Sequence, residues 1–403
     1  MNSANAIFAV LALLSLALAL WQWLAARGFP LHQRIPETRF APGISLLKPL
    51  KGCDDTTVES LQSWLNQNYS GQTQILLGVA DASDPVCKIA QELIAENPKC
   101  DVQLVICEQL EGANAKVAKL AQLEKLAKHD LILVSDADVR VPPDFLANIV
   151  APLRDERVGL VNCFYRLANP STAAMRWEAV AINADFWSQV LQSQTLKPLD
   201  FALGAAILMR RNALAEIGGF GSLVDCLADD YQLGHRIAKS GHRIVLCPVV
   251  AECWDAPMNW RDVWKHQLRW ARTIRVCQPL PYFFSILSNA TLWPMLWLAS
   301  ELFKWLLMAG SGAPNDSIGS FEITISLLAV TNFVTVLLLF RIVLAQNLQR
   351  RLTPERNLAS PFWLVPVKDL LQAALWFCAF TGDTVEWRGR KMRLRRDGTL
   401  EEI

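Results

Sequence analysis

Between Ala6 and Ala26 the chain carries no charged side chain, and at about 1.5 Å of helical rise per residue such a run crosses the ~30 Å hydrocarbon core of a bilayer. That stretch cannot be a surface helix of a soluble domain. A cleaved signal peptide places basic residues ahead of its apolar core. Here Met1 to Asn5 holds none and Arg27 follows the run, so a retained spanning helix is expected, with the N-terminus outside and the next domain in the cytosol. Apolar character returns at 287–309, with Glu301 and Lys304 inside it, and at 321–345, with Glu322 near the start and Arg341 near the end. It returns again at 361–380, interrupted by Pro366, Lys368 and Asp369. Arg350, Arg351 and Arg356, and then Arg388, Arg390, Lys391, Arg393, Arg395 and Arg396, favour the inner side of a membrane. Four full crossings would leave that last basic group outside. One of the two interrupted segments, 287–309 or 361–380, is therefore expected to be interfacial or re-entrant.

The middle of the chain has ordinary globular character. A length of 403 residues leaves room for one catalytic-sized domain between the apolar ends. The expected division is a spanning helix at 1–27, a linker at 28–43 containing Pro30, Pro36 and Pro42, and a cytosolic domain at 44–280. A membrane region at 281–381 and a basic tail at 382–403 complete it. The net charge of +1 gives no global field for a nucleic-acid partner. The ten cysteines form no C-x-x-C pair, which excludes a zinc ribbon and does not fit a secreted disulfide framework. Reduced thiols in a cytosolic domain are the consistent reading.

Within 44–280 strand-like and helix-like segments alternate. Ile44 to Gly52 reads as a strand leaving into a Pro/Gly turn, and a helix follows from about Asp54 to Gln67. Gln74–Ala80 is a strand ending at Asp81 and Asp84-Pro85, with a helix after it to about Asn97. Val102–Cys107 is a third strand, Gly112 to Lys116 a small-residue turn opening a helix, and Asp130 to Ser135 a central strand. Gly159–Phe164, a helix at 172–194 and a strand at 243–246 come next. This alternation predicts an α/β fold with a mainly parallel sheet, helices on both faces and a ligand crevice beyond the carboxyl ends of the strands. Asp81, Asn114, Lys116, Asp136 and Asp138 are then candidates to converge on one edge.

Asp136-Ala137-Asp138 emerges directly after the apolar strand. Two hard oxygen ligands there suit Mg²⁺ or Mn²⁺ held against substrate phosphates, and the same triplet suits a solvated turn ahead of Pro142-Pro143. Gly204 sits among small residues, where something approaches the backbone closely or the core simply packs tightly. Asp229-Asp230-Tyr231 opens a helix, and His266, Arg269 and Trp270 fall at i, i+3 and i+4 on one helical face.

Taken in order, Lys48-Pro49-Leu50-Lys51-Gly52, Asp81 with Asp84-Pro85, Asn114-x-Lys116, Asp136-x-Asp138, Gly159-Leu160-Val161, Gly204 before Leu208-Met209-Arg210, Asp229-Asp230-Tyr231, Arg269-Trp270 and Thr384-Val385-Glu386-Trp387-Arg388 resemble ceramide glucosyltransferases. Their bacterial relatives, including the glycosyltransferase associated with hopanoid biosynthesis, carry the same series. The resemblance implies a GT-A-type nucleotide-sugar-binding domain flanked by transmembrane helices, in a multi-pass protein of a bacterial inner membrane. It also implies inverting transfer of a hexose, glucose or N-acetylglucosamine, from a UDP-sugar to the hydroxyl of a ceramide or hopanoid-type lipid. On that basis Asp136 and Asp138 hold the divalent cation, Asp136 faces the donor diphosphate, Asp81 contacts the uridine, and Asn114 and Lys116 belong to the donor site. Asp230 stands where the family keeps its catalytic base; Arg269 would meet phosphate and Trp270 would cover the acceptor. Two departures stand out: His266 occupies a position where membrane-bound relatives have Gln or Arg, and Asp229 one where Glu is common. The competing enzyme reading is a processive polysaccharide synthase, which the few apolar segments and the missing Gln at 266 disfavour. An inactive membrane scaffold is disfavoured by the joint presence of Asp81, Asp136, Asp138 and Asp230.

Overall fold

A computed structural model of the protein describes residues 3–35, 39–310, 317–354, 360–387 and 390–403. Pro36 of the expected linker and the basic residues Arg356 and Arg388 lie outside them. The chain divides into two compact units, one made of Phe29–Met175, Ser193–Arg269 and Asp383–Ile403, the other of Met1–Gly28, Arg176–Gln192 and Trp270–Gly382.

The chain enters through helix α1 (Ser3–Gly28) and then builds the α/β unit. Strands β1 (Ile44–Pro49), β2 (Thr73–Val79), β3 (Asp101–Ile106) and β4 (Leu131–Ser135) alternate with helices α2 (Thr57–Leu65), α3 (Val86–Glu96) and α4 (Ala115–Glu124). Each strand is a short run of Leu, Ile and Val, and each helix buries one stripe, as Leu61 and Trp64 do on α2. Beyond β5 (Val139–Arg140) and α5 (Phe145–Val150) come β6 (Val158–Leu167) and, after the helical stretch α6 (Ala173–Val180) to α7 (Trp187–Gln194), β7 (Ala206–Arg210). Helix α8 (Arg211–Glu216), helix α9 (Asp229–Lys239), strand β8 (Arg243–Cys253) and the start of α10 (Trp260–Cys277) follow.

The eight strands form one sheet in the order β3-β2-β1-β4-β7-β6-β8-β5. The β1–β2, β2–β3, β1–β4 and β6–β8 pairs are parallel, while β7 runs antiparallel to both β4 and β6, and β5 antiparallel to β8. The sheet is mostly parallel, as its alternating pattern predicts, and β7 makes it mixed. Because β7 is reversed, its start at Ala206 pairs with the end of β4 at Ser135. The chain order therefore brings the exits of β1, β2 and β4 and the entry to β7 to one edge. Trp64 and Phe145 meet edge to face at 5.5 Å in the core beneath.

The second unit is helical, and its stretch through 181–186 is a π-helical turn between α6 and α7. Helix α11 (Pro279–Ser285), α12 (Leu292–Gly310), α13 (Ser317–Leu352) and α14 (Leu364–Phe380) complete it. Among the described residues two helical segments are long and apolar enough to cross a membrane, Asn5–Gly28 and Phe321–Leu352. Five of the charges that interrupt the apolar segments, Glu301, Lys304, Arg341, Lys368 and Asp369, are paired inside this unit. Arg341 on α13 reaches Asp185 of the π-helical turn and Asp369 on α14, each at 2.8 Å. Lys368 contacts Asp185 and lies 2.9 Å from Asp369, and Thr291 donates to Asp369 at 2.7 Å. On α12, Glu301 pairs with Lys304 at 3.4 Å and accepts from Asn5. A buried charge is tolerated where a partner offsets its desolvation, so Glu301, Arg341, Lys368 and Asp369 interrupt the hydropathy pattern while staying buried.

The described residues of 382–403, expected as a basic cytosolic tail, include three strands. They make β9 (Thr384–Trp387), β10 (Arg390–Leu394) and β11 (Leu400–Glu402), an antiparallel three-stranded sheet belonging to the α/β unit.

Candidate active site

The site is assembled from strand ends. Ser135 closes β4, and the chain then turns through Asp136, Ala137 and Asp138, all half-buried, before β5. On the neighbouring strand β1, Lys48 is fully buried, and its Nζ donates to the Ser135 hydroxyl at 3.3 Å and to the Asp136 carbonyl. Burial lowers the Lys48 ammonium to about 8 against the pull of Asp138 and Asp136. Asp138 is pushed up to about 7, by burial first and then by the negative charge of Asp255 and Asp136.

Helix α4 supplies the next part. Asn114 is its N-cap: its Oδ1 accepts the Lys116 and Val117 N–H groups at 3.1 and 3.3 Å, and its amide donates to the Cys226 carbonyl at 2.8 Å. With its side chain fully buried, Asn114 places Lys116 at the first turn of the helix. Lys116 Nζ lies 2.7 Å from Asp136 Oδ1 and 3.1 Å from Asp229 Oδ2. One lysine thus joins the acidic turn after β4 to the acidic start of α9. Burial alone would lower its pKa, but Asp136, Asp229 and Asp230 outweigh it and hold the ammonium above its ordinary value.

Asp229 and Asp230 form the first turn of α9, where the helix dipole favours negative charge. Burial, and next the charge of Asp229, raise Asp230 to about 6, with Lys116 opposing the rise. Gly204, just before β7, lies beside it: a Cβ built there would stand 2.7 Å from Asp230 Oδ2. The close approach marked by this glycine is to the Asp230 carboxylate.

Asp81 follows β2 with an exposed carboxylate that accepts the Ser83 N–H at 2.8 Å, a bond that holds its carboxyl below the usual range. Both oxygens of Asp84 lie 3.0 Å from the Gly52 N–H, tying the exit of β2 to the exit of β1. His266 and Arg269 stand on the α10 segment belonging to the α/β unit, both half-buried. Trp270 begins the helical unit and packs against Phe186 with ring centroids 6.3 Å apart.

Asp136 and Asp138 fit a divalent cation. Mg²⁺ and similar ions are held by one or two carboxylates, with phosphate oxygens and water completing the shell, and here two carboxylates lie in one turn, where burial first and then the charge of Asp255 and Asp136 raise Asp138. Among the described residues no group of three or more His, Cys, Asp or Glu side chains is placed to hold a metal ion.

The family model of glycosyl transferase family 21 matches residues 7–313 and 316–400. The chain belongs to this family. It is 24% identical over 218 residues to ceramide glucosyltransferase 3 of Caenorhabditis elegans, covering 53% of this chain and 47% of the relative. It is 25% identical over 246 residues to the beta-monoglucosyldiacylglycerol synthase of Trichormus variabilis, covering 60% and 51%. The chain thus spans about half the length of these relatives. In fold it is similar to the mannosyltransferase PcManGT of Pyrobaculum calidifontis, solved with GDP-mannose and Mn²⁺, with a TM-score of 0.51 and 20% identity over 88% of this chain and 100% of that one. The GT-A-type fold and glycosyltransferase membership expected from the motifs hold.

Within this family 21 site, three residues escaped the sequence reading of roles. Lys48 was visible as a charge inside an otherwise apolar strand. Asp229, placed as a helix-dipole residue, is also the second partner of Lys116. Asp255 influences Asp138 from the loop after β8, and no spacing in the sequence announces it.

Proposed function

We infer that the protein is a lipid glycosyltransferase that moves a hexose from a UDP-sugar to a membrane-lipid hydroxyl with inversion, at the cytosolic face. The observation that carries this reading is Lys116, held between Asp136 and Asp229 at 2.7 and 3.1 Å. It couples a carboxylate pair suited to a diphosphate-bound cation to the acidic start of α9, where the residue after Asp229 is Asp230, the carboxylate suited to proton removal.

A Mg²⁺ or Mn²⁺ ion on Asp136 and Asp138 would neutralise charge on the departing diphosphate. Lys116 serves the same charge from the helix start, with Asn114 positioning it, and Asp81 meets the uridine. Asp230 accepts the proton of the acceptor hydroxyl as that oxygen bonds to the anomeric carbon and the bond from that carbon to the diphosphate breaks, releasing UDP. A single displacement with the base opposite the leaving group inverts the anomeric centre. A carboxyl raised to about 6 is better matched to this task near neutral pH than an ordinary one. Arg269 is assigned to phosphate and Trp270 to the acceptor, with His266 beside them on α10. Arg27, Arg350 and Arg351, next to the two apolar helices, favour a cytosolic catalytic unit. The acceptor is assigned as a ceramide, diacylglycerol or hopanoid-type lipid, since the family's relatives include enzymes named for the first two.

The reading is tested by Asp230→Asn in purified protein. Transfer should be lost while binding of UDP with Mn²⁺ survives; wild-type turnover in this variant rejects Asp230 as the base.

A further inference from the structure

The chain leaves the α/β unit at Arg269 and returns to it at Asp383, and the returning strands attach at two places. At the first, the Leu400 N–H donates to the Asp225 carbonyl at 2.8 Å, the Leu227 N–H donates to the Gly398 carbonyl at 3.2 Å, and Thr399 forms an antiparallel bridge with Cys226. The stretch they hold, Val224 to Ala228, leads directly into Asp229 and Asp230. It is held independently by α4: the Ala113 N–H donates to Asp225 Oδ1 at 3.0 Å, the Asn114 N–H to the Val224 carbonyl at 2.7 Å, and the Asn114 amide to the Cys226 carbonyl at 2.8 Å.

The turn that reaches this stretch is built for the purpose. Asp397 Oδ1 accepts the Thr399 N–H and hydroxyl at 3.0 and 2.7 Å, and Gly398 takes φ +85°, a conformation that side chains disfavour. At the second place, Glu386 of β9 pairs with Lys265 of α10 at 2.8 Å, one residue before His266 and one turn before Arg269.

We propose that β9–β11 is a positioning element for the transfer reaction, which fixes the Val224–Ala228 stretch and hence Asp230 while bracing α10 through Glu386. This rests on Asp230 acting as the base. A stretch with neither helix nor ladder of its own must be held from outside to keep a carboxylate within hydrogen-bond reach of an acceptor, and a displacement of the order of 1 Å costs up to about a hundredfold in rate. Asn114 and Lys116 touch this stretch and Asp229 from the nucleotide side, but Asn114 is fixed by its own cap on α4 and Lys116 by Asp136, so nucleotide and cation binding should be spared.

The test uses the full chain in detergent. Leu400→Pro deletes the N–H that bonds Asp225, and Leu400→Val keeps it. Leu400→Pro should lower kcat about tenfold or more with the calorimetric affinity for UDP and Mn²⁺ within about twofold of wild type, and Leu400→Val should retain turnover. Wild-type kcat in Leu400→Pro overturns the proposal, as does a loss of UDP affinity in step with kcat. Glu386→Lys, a change on an exposed side chain that does not threaten folding, should also lower kcat and be restored by adding Lys265→Glu; failure of that restoration overturns the bracing of α10. Asp230→Asn separates the two readings. If it leaves turnover intact, the base assignment falls; if it abolishes turnover while Leu400→Pro does not lower it, the positioning role alone falls.

Discussion

Replacing Lys116 by Met isolates the charge that links the two halves of the site. The lysine side chain is 11% exposed, Asp229 16% and Asp136 35%. Removing one partner of a buried ion pair costs about 3–5 kcal/mol, whereas exposed pairs contribute about 0.2–1 kcal/mol. The Asp229 contact belongs near the lower end of the first range, and the Asp136 contact, more open to solvent, is discounted toward the second. A loss of about 3 kcal/mol follows for the nucleotide-free protein, which for a unit of this size is roughly 6–12 °C in Tm. The assay is tryptophan fluorescence against temperature in detergent, with and without UDP and Mn²⁺. Because Lys116 also serves the charge of the nucleotide diphosphate, the variant should gain less stability from UDP and Mn²⁺ than the wild type, and the difference between them should widen when both ligands are present. An unchanged Tm in the nucleotide-free variant, or equal stabilisation of the two proteins by the ligands, refutes the linkage.

Three further outcomes follow from the geometry. With the Asp230 carboxyl raised to about 6, kcat/KM should climb tenfold per pH unit below about 6 and level above it, and Asp230→Asn should remove that limb. The sign for stability is opposite: the folded chain holds this proton to higher pH than the unfolded chain, so the contribution is present at low pH and lost as pH rises through about 6, visible as a falling Tm that Asp230→Asn flattens. Gly204→Ala places a Cβ 2.7 Å from Asp230 Oδ2 and should reduce kcat by about tenfold to a hundredfold, with nucleotide affinity retained by calorimetry. Arg341→Met leaves Asp185 and Asp369 with Lys368 alone and should cost about 3–5 kcal/mol of stability, read as early unfolding of the helical unit in detergent.

The parts of this molecule legible in its sequence are those set by local pattern. Strands β1 to β4 announce themselves as short Leu/Ile/Val runs, and the crevice rule places Asp136 and Lys116 at one edge without a structure. The reversal of β7 is not encoded locally, because an apolar strand reads the same in either direction, and with it went the meaning of Gly204. Asn114, expected in the donor site from its motif, spends its side chain on capping α4, which spacing alone cannot distinguish from ligand contact. Charge counting also treated Arg341, Lys368 and Asp369 as interruptions, whereas each finds a partner far away in sequence. The strands within the basic stretch at 382–403 were not legible for a related reason: its Arg and Lys residues alternate with Met392 and Leu394, which are buried in the small sheet, and a charge tally does not see that alternation.

The proposed cation-dependent transfer of a hexose to a lipid through the acidic turn after β4 is tested by mass spectrometry of lipids from cells expressing the wild-type chain or Asp136→Ala at equal protein level. A hexosylated lipid should appear with the wild type and be absent with the variant. The same lipid profile from both, with a hexosylated product present in each, would contradict it.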